Sequence, residues 1–303
     1  MSFYKDVLNS QPNNHKNNDG EVELIQGCLI KMLNEINPVF KKYGIKPVLI
    51  EGNALGKVRH NGFIPWDDDL DIALIRSDYK KFEAIFEDEL SDRYVISSPV
   101  GKHKASNRFI QIGRKGTKIK GLYQEKEDLN SPTQHIYIDI FPIDYVPDNV
   151  IIRVVKGIWV NFIMACAGCV SYCKNRNAKV DAILKSSFRG KVELFCRIFL
   201  GTILSFWSET KWMHIVDKSV EGKKETNHLG ITVARNHYFG EIMEKNVYFP
   251  LRETDYCGVN VYRPNKIKEY LRKVYGDDYM MLPPEEKRES HHAMYVKIDE
   301  GIF

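Results

Sequence analysis

The sequence of 303 residues lacks a strong excess of charge of either sign. Its 44 Lys and Arg residues and 40 Asp and Glu residues give a net charge of +4 at pH 7. Proteins that bind nucleic acid usually carry a clear basic excess, so this balance gives no reason to expect such a partner. It is compatible with an anionic substrate or with an anionic membrane surface.

The sequence also lacks an apolar run long enough to cross a bilayer. Residues 157–172 and 192–207 are both shorter than the roughly 20 residues that a membrane-spanning helix needs. We interpret them as buried helices, with a face that rests on a membrane as the alternative. Met1 to Asp6 lack the apolar core of a signal peptide. We therefore expect a cytoplasmic protein, with the inner face of the plasma membrane as the alternative location.

The six cysteines do not follow a pattern typical of disulfide or zinc sites. Cys166, Cys169 and Cys173 have helical spacing, which places them on one face of an apolar helix, where thiols behave as small hydrophobic groups. No further Cys or His cluster completes four zinc ligands. We therefore expect reduced thiols.

What the sequence does contain is an unusual group of aspartates. Asp67, Asp68, Asp69 and Asp71 lie within five positions, with apolar residues on both sides. Two carboxylates about 4 Å apart repel by roughly 4 kcal/mol at an effective dielectric constant near 20. A hard cation such as Mg²⁺ would offset that repulsion and take its other ligands from water and phosphate oxygens. The alternative is a solvated acidic turn without a metal.

The alternation of side chains predicts which aspartates share a face. Asp69 and Asp71 lie on the same face of a predicted strand, about 7 Å apart along the chain. Asp67 has the same parity and Asp68 the opposite one. A second predicted strand, residues 136–141, carries Asp139 on the face opposite its apolar side chains.

The segments around the aspartates are also predictable. Residues 48–50 indicate a short buried strand, and residues 52–56 indicate a loop whose backbone N–H groups face phosphate. Pro142 is expected to end the second aspartate strand. We divide the chain into a flexible leader (1–20), a catalytic core (21–150), a helical lobe (151–226) and a C-terminal helical segment that completes the active site (227–303).

Taken together, these motifs resemble the LicD family, which is similar to phosphorylcholine transferases and to the fukutin-related ribitol-phosphate transferases. The resemblance rests on Gly52–Gly56, Arg59-His60, Gly62–Asp71, Arg76–Tyr79, Asp139–Asp144 and Tyr270–Pro284. It implies an α+β fold of the nucleotidyltransferase type, in which a small mixed sheet bears the aspartates and helices pack against it. Two residues depart from the family pattern, since Asn53 and Lys57 stand where smaller residues are usual.

The resemblance also implies roles for individual residues. Asp69, Asp71 and Asp139 would be catalytic and would hold Mg²⁺ or Mn²⁺, with Asp67 as an outer ligand and Asp139 as the base for the acceptor hydroxyl. Donor phosphates would be bound by Gly52, Asn53, Lys57, Arg59, His60 and Arg76. The alternatives are a solvated basic loop for Lys57, Arg59 and His60, and an ion pair with Asp78 for Arg76. His291 and His292 either border the site or form a surface pair.

The implied function is a phosphoalcohol transfer. The donor would be CDP-choline, the acceptor a sugar hydroxyl of a surface glycan such as lipopolysaccharide or teichoic acid, or of its lipid-linked precursor, and CMP would be released. Donors that carry ethanolamine, ribitol or glycerol in place of choline are alternatives. One alternative is a nucleotidyltransferase that attacks the α-phosphorus of a nucleoside triphosphate and releases pyrophosphate, and another is an inactive scaffold. No nucleic-acid partner is expected, whereas peripheral membrane contact is a further possibility.

Overall fold

The computed structural model describes residues 19–121, 130–285, 288, 293–299 and 301–302. Residues 1–18 of the predicted leader and the His291-His292 pair lie outside the described residues. The helices are α1 (Asp19–Lys42), α2 (Glu51–His60), α3 (Arg76–Leu90), α4 (Val150–Lys174), α5 (Ala178–Lys185), α6 (Phe188–Leu204), α7 (Glu209–Val220), α8 (His237–Gly240), α9 (Lys245–Tyr248) and α10 (Ile267–Tyr275). The strands are β1 (Val48–Leu49), β2 (Asp71–Ile75), β3 (Tyr94–Ser97), β4 (Ile110–Arg114), β5 (Thr117–Gly121), β6 (Tyr137–Val146), β7 (His228–Gly230), β8 (Met243–Glu244), β9 (Arg252–Tyr256), β10 (Val259–Arg263) and β11 (Ala293–Ile298).

A mixed sheet of nine strands forms the centre of the fold. Its main path runs β3-β4-β6-β2-β1-β10-β9, while β7 pairs with the far end of β6 and β8 pairs with β7. The β2–β6 and β1–β10 pairs are parallel, and the other pairs are antiparallel. Strands β5 and β11 form a separate antiparallel pair. The α+β prediction is confirmed, with a larger sheet than the sequence suggested.

Helical spacing explains why α1 forms and where it packs. Its apolar residues Ile25, Leu29, Met32, Ile36 and Phe40 are all buried in the main core. Positions three or four residues apart lie on one side of a helix, so this stripe packs into the core, while most of the polar residues are exposed or half-buried.

The C-terminal part is not only helical. Residues 227–303 contribute strands β7 to β11 in addition to α8, α9 and α10. In β10 the side chains of Val259 and Val261 are buried, whereas Asn260 is exposed. This period of two is the pattern of a strand with one buried face, and the helical prediction overlooked it.

Two local predictions around the aspartates were wrong. Residues 52–56 belong to α2, which begins directly after the short β1, and do not form a loop. Pro142 lies inside β6 and does not end it. On that side of β6, β4 pairs only as far as Ile140 and β7 begins at Asp144, so the missing N–H of Pro142 costs no ladder hydrogen bond there.

Helices α4 to α7 follow the sheet strands that carry the aspartates. One of the described helices, α4, is long and apolar enough to span a membrane, contrary to the sequence analysis, because it begins at Val150 and not at Gly157. A third of its most apolar window is buried inside the protein. Its buried residues Val160, Ile163, Ala167 and Val170 belong to the same core as the strands. Helices α4 to α7 thus lie within residues 150–220, and the buried side of α4 shares the core of the strands.

Candidate active site

The neighbouring strands β2 and β6 bring together two aspartates from separate motifs. Asp71 lies directly opposite Asp139 in the parallel register. Adjacent strands are about 4.8 Å apart, so their carboxylates are neighbours across the ladder. The N–H of Asp139 donates to the carbonyl of Leu70 at 3.0 Å and fixes this register at the start of β2. Asp69 precedes β2 and is not part of the strand.

A cluster of carboxylates surrounds this pair. Burial raises the pKa of Asp71 well above its usual value, and the negative charges of Asp69, Asp139, Glu51 and Asp67 raise it further. We call these five residues the carboxylate cluster. Asp68 is also buried. Such a cluster stores repulsion that a bound cation would relieve.

The amide of Asn53 holds the backbone of the aspartates. Its Oδ1 accepts a hydrogen bond from the N–H of Asp71 at 2.5 Å. Its Nδ2 donates to the carbonyl of Asp69 at 3.2 Å and lies 3.0 Å from the hydroxyl of Tyr256. Both ends of the amide are therefore engaged inside the protein, which places Asn53 in a positioning role and not on a donor phosphate.

Gly52 allows Asp67 to approach the start of α2. A Cβ atom at this position would lie 2.7 Å from Oδ2 of Asp67, closer than side-chain contacts permit. The carboxylate therefore lies beside the first turn of the helix, where free N–H groups and the helix dipole favour negative charge. The same helix terminus is a suitable place for a phosphate group.

The three predicted basic residues lie on the second half of α2. Arg59 Nη1 donates to the carbonyls of Tyr279 and Met281, each at 3.1 Å, and its Nε donates to Nε2 of His60 at 3.0 Å. Partial burial and the adjacent Arg59 lower the pKa of His60, which favours a neutral imidazole. Lys57 donates to Oδ1 of Asn61 at 2.7 Å. Helix α2 is thus tied to the residues after α10.

Arg76 does not lie with the other predicted donor-binding residues. Its buried guanidinium forms a two-pronged ion pair with Asp144 at 2.8 and 2.5 Å and a further one with Asp217 at 2.6 Å. Neither phosphate binding nor the alternative pair with Asp78 describes this arrangement. The reason is that β6 continues beyond Pro142 and carries Asp144 to the start of α3.

Several residues at the site were missed from the sequence. Gln111, opposite Asp139 on β4, donates from Nε2 to Oδ1 of Asp139 at 2.8 Å. The hydroxyl of Tyr270 accepts from the N–H of Glu51 and lies 3.1 Å from Oε2 of Glu241. Burial raises the pKa of both glutamates. No local pattern marks Gln111 or Glu241, whereas the polar Glu51 between a buried strand and a glycine was a usable signal.

The donor chemistry of the cluster fits a hard divalent cation. All of its side-chain ligands are carboxylate oxygens, which Mg²⁺ and Mn²⁺ prefer. Within the described part of the chain, no three or more His, Cys, Asp or Glu side chains are assembled as a ready metal site. Mg²⁺ is commonly held by one or two carboxylates together with substrate phosphates, and the facing pair Asp71 and Asp139 offers that number.

The part of the chain that matches a known protein family includes this site. Residues 44–163 match the family model described as LicD/FKTN/FKRP, nucleotidyltransferase domain. The resemblance to the LicD family is confirmed. The matched LicD domain contains β1, α2, β2 and β6 together with all five residues of the carboxylate cluster.

Curated relatives extend the similarity beyond the LicD domain. The chain is 24% identical over 279 residues to the lipopolysaccharide cholinephosphotransferase LicD of Haemophilus influenzae, which covers 89% of this chain and 95% of that protein. It is 29% identical over 121 residues to an uncharacterised protein of Rickettsia typhi, covering 40% of this chain and 36% of the relative. The first alignment spans most of the chain, so the similarity includes helices and strands outside the LicD domain.

Proposed function

We propose that this chain is a phosphocholine transferase that modifies a cell-surface glycan, with Asp71 and Asp139 at its active centre. The observation that carries the proposal is the direct pairing of these two aspartates across β2 and β6 inside the LicD domain. The similarity to a lipopolysaccharide cholinephosphotransferase supports both the transferred group and the class of acceptor.

The finer proposal is that CDP-choline is the donor and CMP the product. The acceptor hydroxyl oxygen attacks the phosphorus that bears choline, a new P–O bond to the sugar forms, and the P–O bond to CMP breaks. Asp139, held by Gln111, takes the proton of the attacking hydroxyl. The first turn of α2 at Gly52 offers backbone N–H groups to the donor phosphates.

A divalent ion, Mg²⁺ or Mn²⁺, would be held by Asp69, Asp71 and Asp139, with Asp67 as an outer ligand, and would offset the charge of the diphosphate. Arg59 remains our candidate for a donor contact because its charge is close to Asp67. Lys57 and His60 remain candidates because they lie on the same helix, which begins at the carboxylate cluster.

The decisive experiment follows nucleotide release. Purified protein is incubated with Mg²⁺, CDP-choline and either lipopolysaccharide or a lipid-linked glycan extract, and both CMP and glycan-bound choline are measured. We expect CMP formation that EDTA abolishes and that Asp71→Asn and Asp139→Asn each reduce by at least about 100-fold. Asp92→Asn, an exposed acid after α3, is the matched control and should retain activity.

Three outcomes would contradict the proposal. Equal rates for wild type, Asp71→Asn and Asp139→Asn would exclude these residues from the reaction. Pyrophosphate release from a nucleoside triphosphate, without CMP from CDP-choline, CDP-ribitol or CDP-glycerol, would indicate a nucleotidyltransferase. Folded protein that is inactive with every donor would favour the scaffold alternative.

A further inference from the structure

The helices after β6 expose an unusually apolar surface. On the first half of α4, the side chains of Ile151, Val155, Ile158, Trp159 and Phe162 are exposed, with Ile151 at 75%. On α6, Val192, Phe195, Phe199 and Ile203 are exposed, with Phe195 at 67%. We call these nine residues the apolar face. Single exposed apolar residues are ordinary, whereas a group of this size marks an interaction surface.

Packing between the two helices explains how the apolar face arises. Ile151, Val155, Ile158 and Phe162 form one stripe of α4 that continues towards Cys169. Helix α6 covers that end of the stripe. The two helices are so close there that a Cβ atom on Gly201 would lie 2.4 Å from the carbonyl oxygen of Cys169. The first half of the stripe is left exposed.

Helix α6 is apolar on two sides. Its inner side carries the buried Leu194 and Gly201 towards α4 and α5. Its outer side carries Val192, Phe195, Phe199 and Ile203, and the rings of Phe195 and Phe199 stack with their centroids 5.9 Å apart. A surface helix that needed only to cover a core would carry polar residues on this outer side.

The charge around the apolar face is strongly positive, unlike that of the whole chain. Residues 150–207 contain nine Lys and Arg residues and two acidic residues, out of 44 and 40 in the chain. Both acids are already paired within the segment, Asp181 with Arg176 and Glu193 with Arg197. Arg189 and Lys191 are exposed and lie next to Phe188, whose side chain is 84% exposed.

The packing of α4 favours a helix that lies on a membrane over one that spans it. The side opposite the exposed stripe carries Val160, Ile163 and Val170, which are buried in the core shared with the strands. A helix that crosses a bilayer would have to give up these contacts. The helix can lie on a membrane with its exposed stripe inserted and its inner side still on the protein.

We propose that the apolar face is an interfacial membrane-binding surface that inserts into an anionic lipid bilayer. Its aromatic and aliphatic side chains enter the boundary between head groups and acyl chains, and the flanking basic side chains meet lipid phosphates. Charge complementarity selects this occupant, since exposed apolar side chains in a segment with a basic excess match an anionic lipid surface. The proposal does not depend on the reaction that the carboxylate cluster catalyses.

The test is co-sedimentation of the full chain with vesicles of phosphatidylcholine, with or without phosphatidylglycerol. We expect binding to the anionic vesicles that weakens as salt concentration rises. Phe195→Ser/Phe199→Ser should weaken it by at least about tenfold, because each inserted aromatic side chain contributes apolar burial. Arg189→Glu/Lys191→Glu should remove the preference for anionic vesicles. Leu24→Ser/Met281→Ser changes exposed apolar residues elsewhere and should bind as wild type does.

Circular dichroism checks that each variant is folded. We expect folded variants because the substituted residues are exposed. The proposal is overturned if wild-type protein stays in the supernatant with both vesicle types. It is also overturned if Phe195→Ser/Phe199→Ser binds undiminished. Sedimentation of the protein as a stable dimer that this variant dissociates, without vesicle binding, would assign the apolar face to a second copy of the chain.

Discussion

At the scale of single residues, uncharged neighbours decide where the carboxylates lie. Gly52 makes room for Asp67 because it has no Cβ, and Asn53 fixes the backbone of Asp69 and Asp71 with its amide. The sequence indicated that both residues belong to the site and assigned both to the donor phosphate, but the amide of Asn53 is engaged with the aspartate backbone instead. Only the packed structure shows what an uncharged side chain contacts.

We predict that Gly52→Ala impairs activity more than stability. The new Cβ would meet the flexible end of Asp67 and push its carboxylate away from the first turn of α2. Alanine is the better helix former by about 1 kcal/mol, and this gain offsets the strain of displacing the Asp67 carboxylate, so the unfolding midpoint should change little. Nucleotide release should fall by about tenfold, as is usual when a group beside a metal site is displaced.

Two further variants test whether Gly52 acts through Asp67. Gly168→Ala, on α4, places its Cβ where no atom lies within 4 Å and should leave activity unchanged. Gly52→Ala/Asp67→Ala should be no slower than Asp67→Ala alone. If the double variant is slower by a further factor, Gly52 acts through something other than Asp67.

At the scale of secondary-structure elements, the register of β2 and β6 places Asp71 beside Asp139 and also carries Asp144 to Arg76 at the start of α3. Asp217 then links this pair to α7. One strand therefore supplies both a residue of the candidate site and a buried ion-pair network. The sequence predicted the strand that carries Asp139. It ended that strand at Pro142, however, and therefore missed the residues that carry Asp144.

Arg76→Met should destabilise the protein by about 3–5 kcal/mol, since it leaves two buried carboxylates without their cation. Urea unfolding of the purified variant measures this loss. Arg272→Met, on an exposed arginine of α10, is the control and should change the midpoint by far less. A variant that keeps the wild-type midpoint but loses donor affinity would instead restore Arg76 to the phosphate site.

Glu221, at the end of α7, should give a pH-dependent contribution to stability. Partial burial raises its pKa, but hydrogen bonds from Lys80 of α3 and from Lys218 outweigh this effect and lower the pKa from 4.5 to about 2. A carboxylate with a lowered folded-state pKa stabilises above its unfolded pKa, and this stabilisation is lost as pH falls towards the folded-state value.

Glu221→Gln should therefore cost about 1 kcal/mol of unfolding free energy at pH 7. The difference from wild type should shrink below pH 4.5 and disappear near pH 2. Urea titrations across this range measure it, with Glu269→Gln on α10 as an exposed control. A difference that stays constant with pH would show that the charge of Glu221 is not responsible.

At the scale of the whole molecule, the buried apolar side chains of the described residues form two cores of very different size. The main core joins the sheet to α1, α4 and α7, whereas α5 and α6 share a small cluster around Val180, Leu184 and Leu194. Few buried apolar contacts give a low free energy for local opening. Helix α6, which carries four of the nine residues of the apolar face, thus belongs to the smaller core.

Hydrogen exchange should reveal this difference in solution. We expect backbone amides of α5 and of the first half of α6 to exchange faster than those of α7 and of the second half of α4. Mass spectrometry of peptic peptides over a time course of exchange measures the rate in each of the four segments. Equal protection in all four segments would contradict the division into a large and a small core.

Local patterns in the sequence were sufficient for the α+β class, the LicD resemblance, α1 and the strands that carry Asp71 and Asp139. Such features depend on residue types a few positions apart, which the sequence displays directly. Tertiary structure decided the partners of Arg76 and Asn53, the strands of the C-terminal part and the exposed stripe of α4. These depend on which distant segments pack together, because burial and hydrogen bonding are set by neighbours in space that no local spacing specifies.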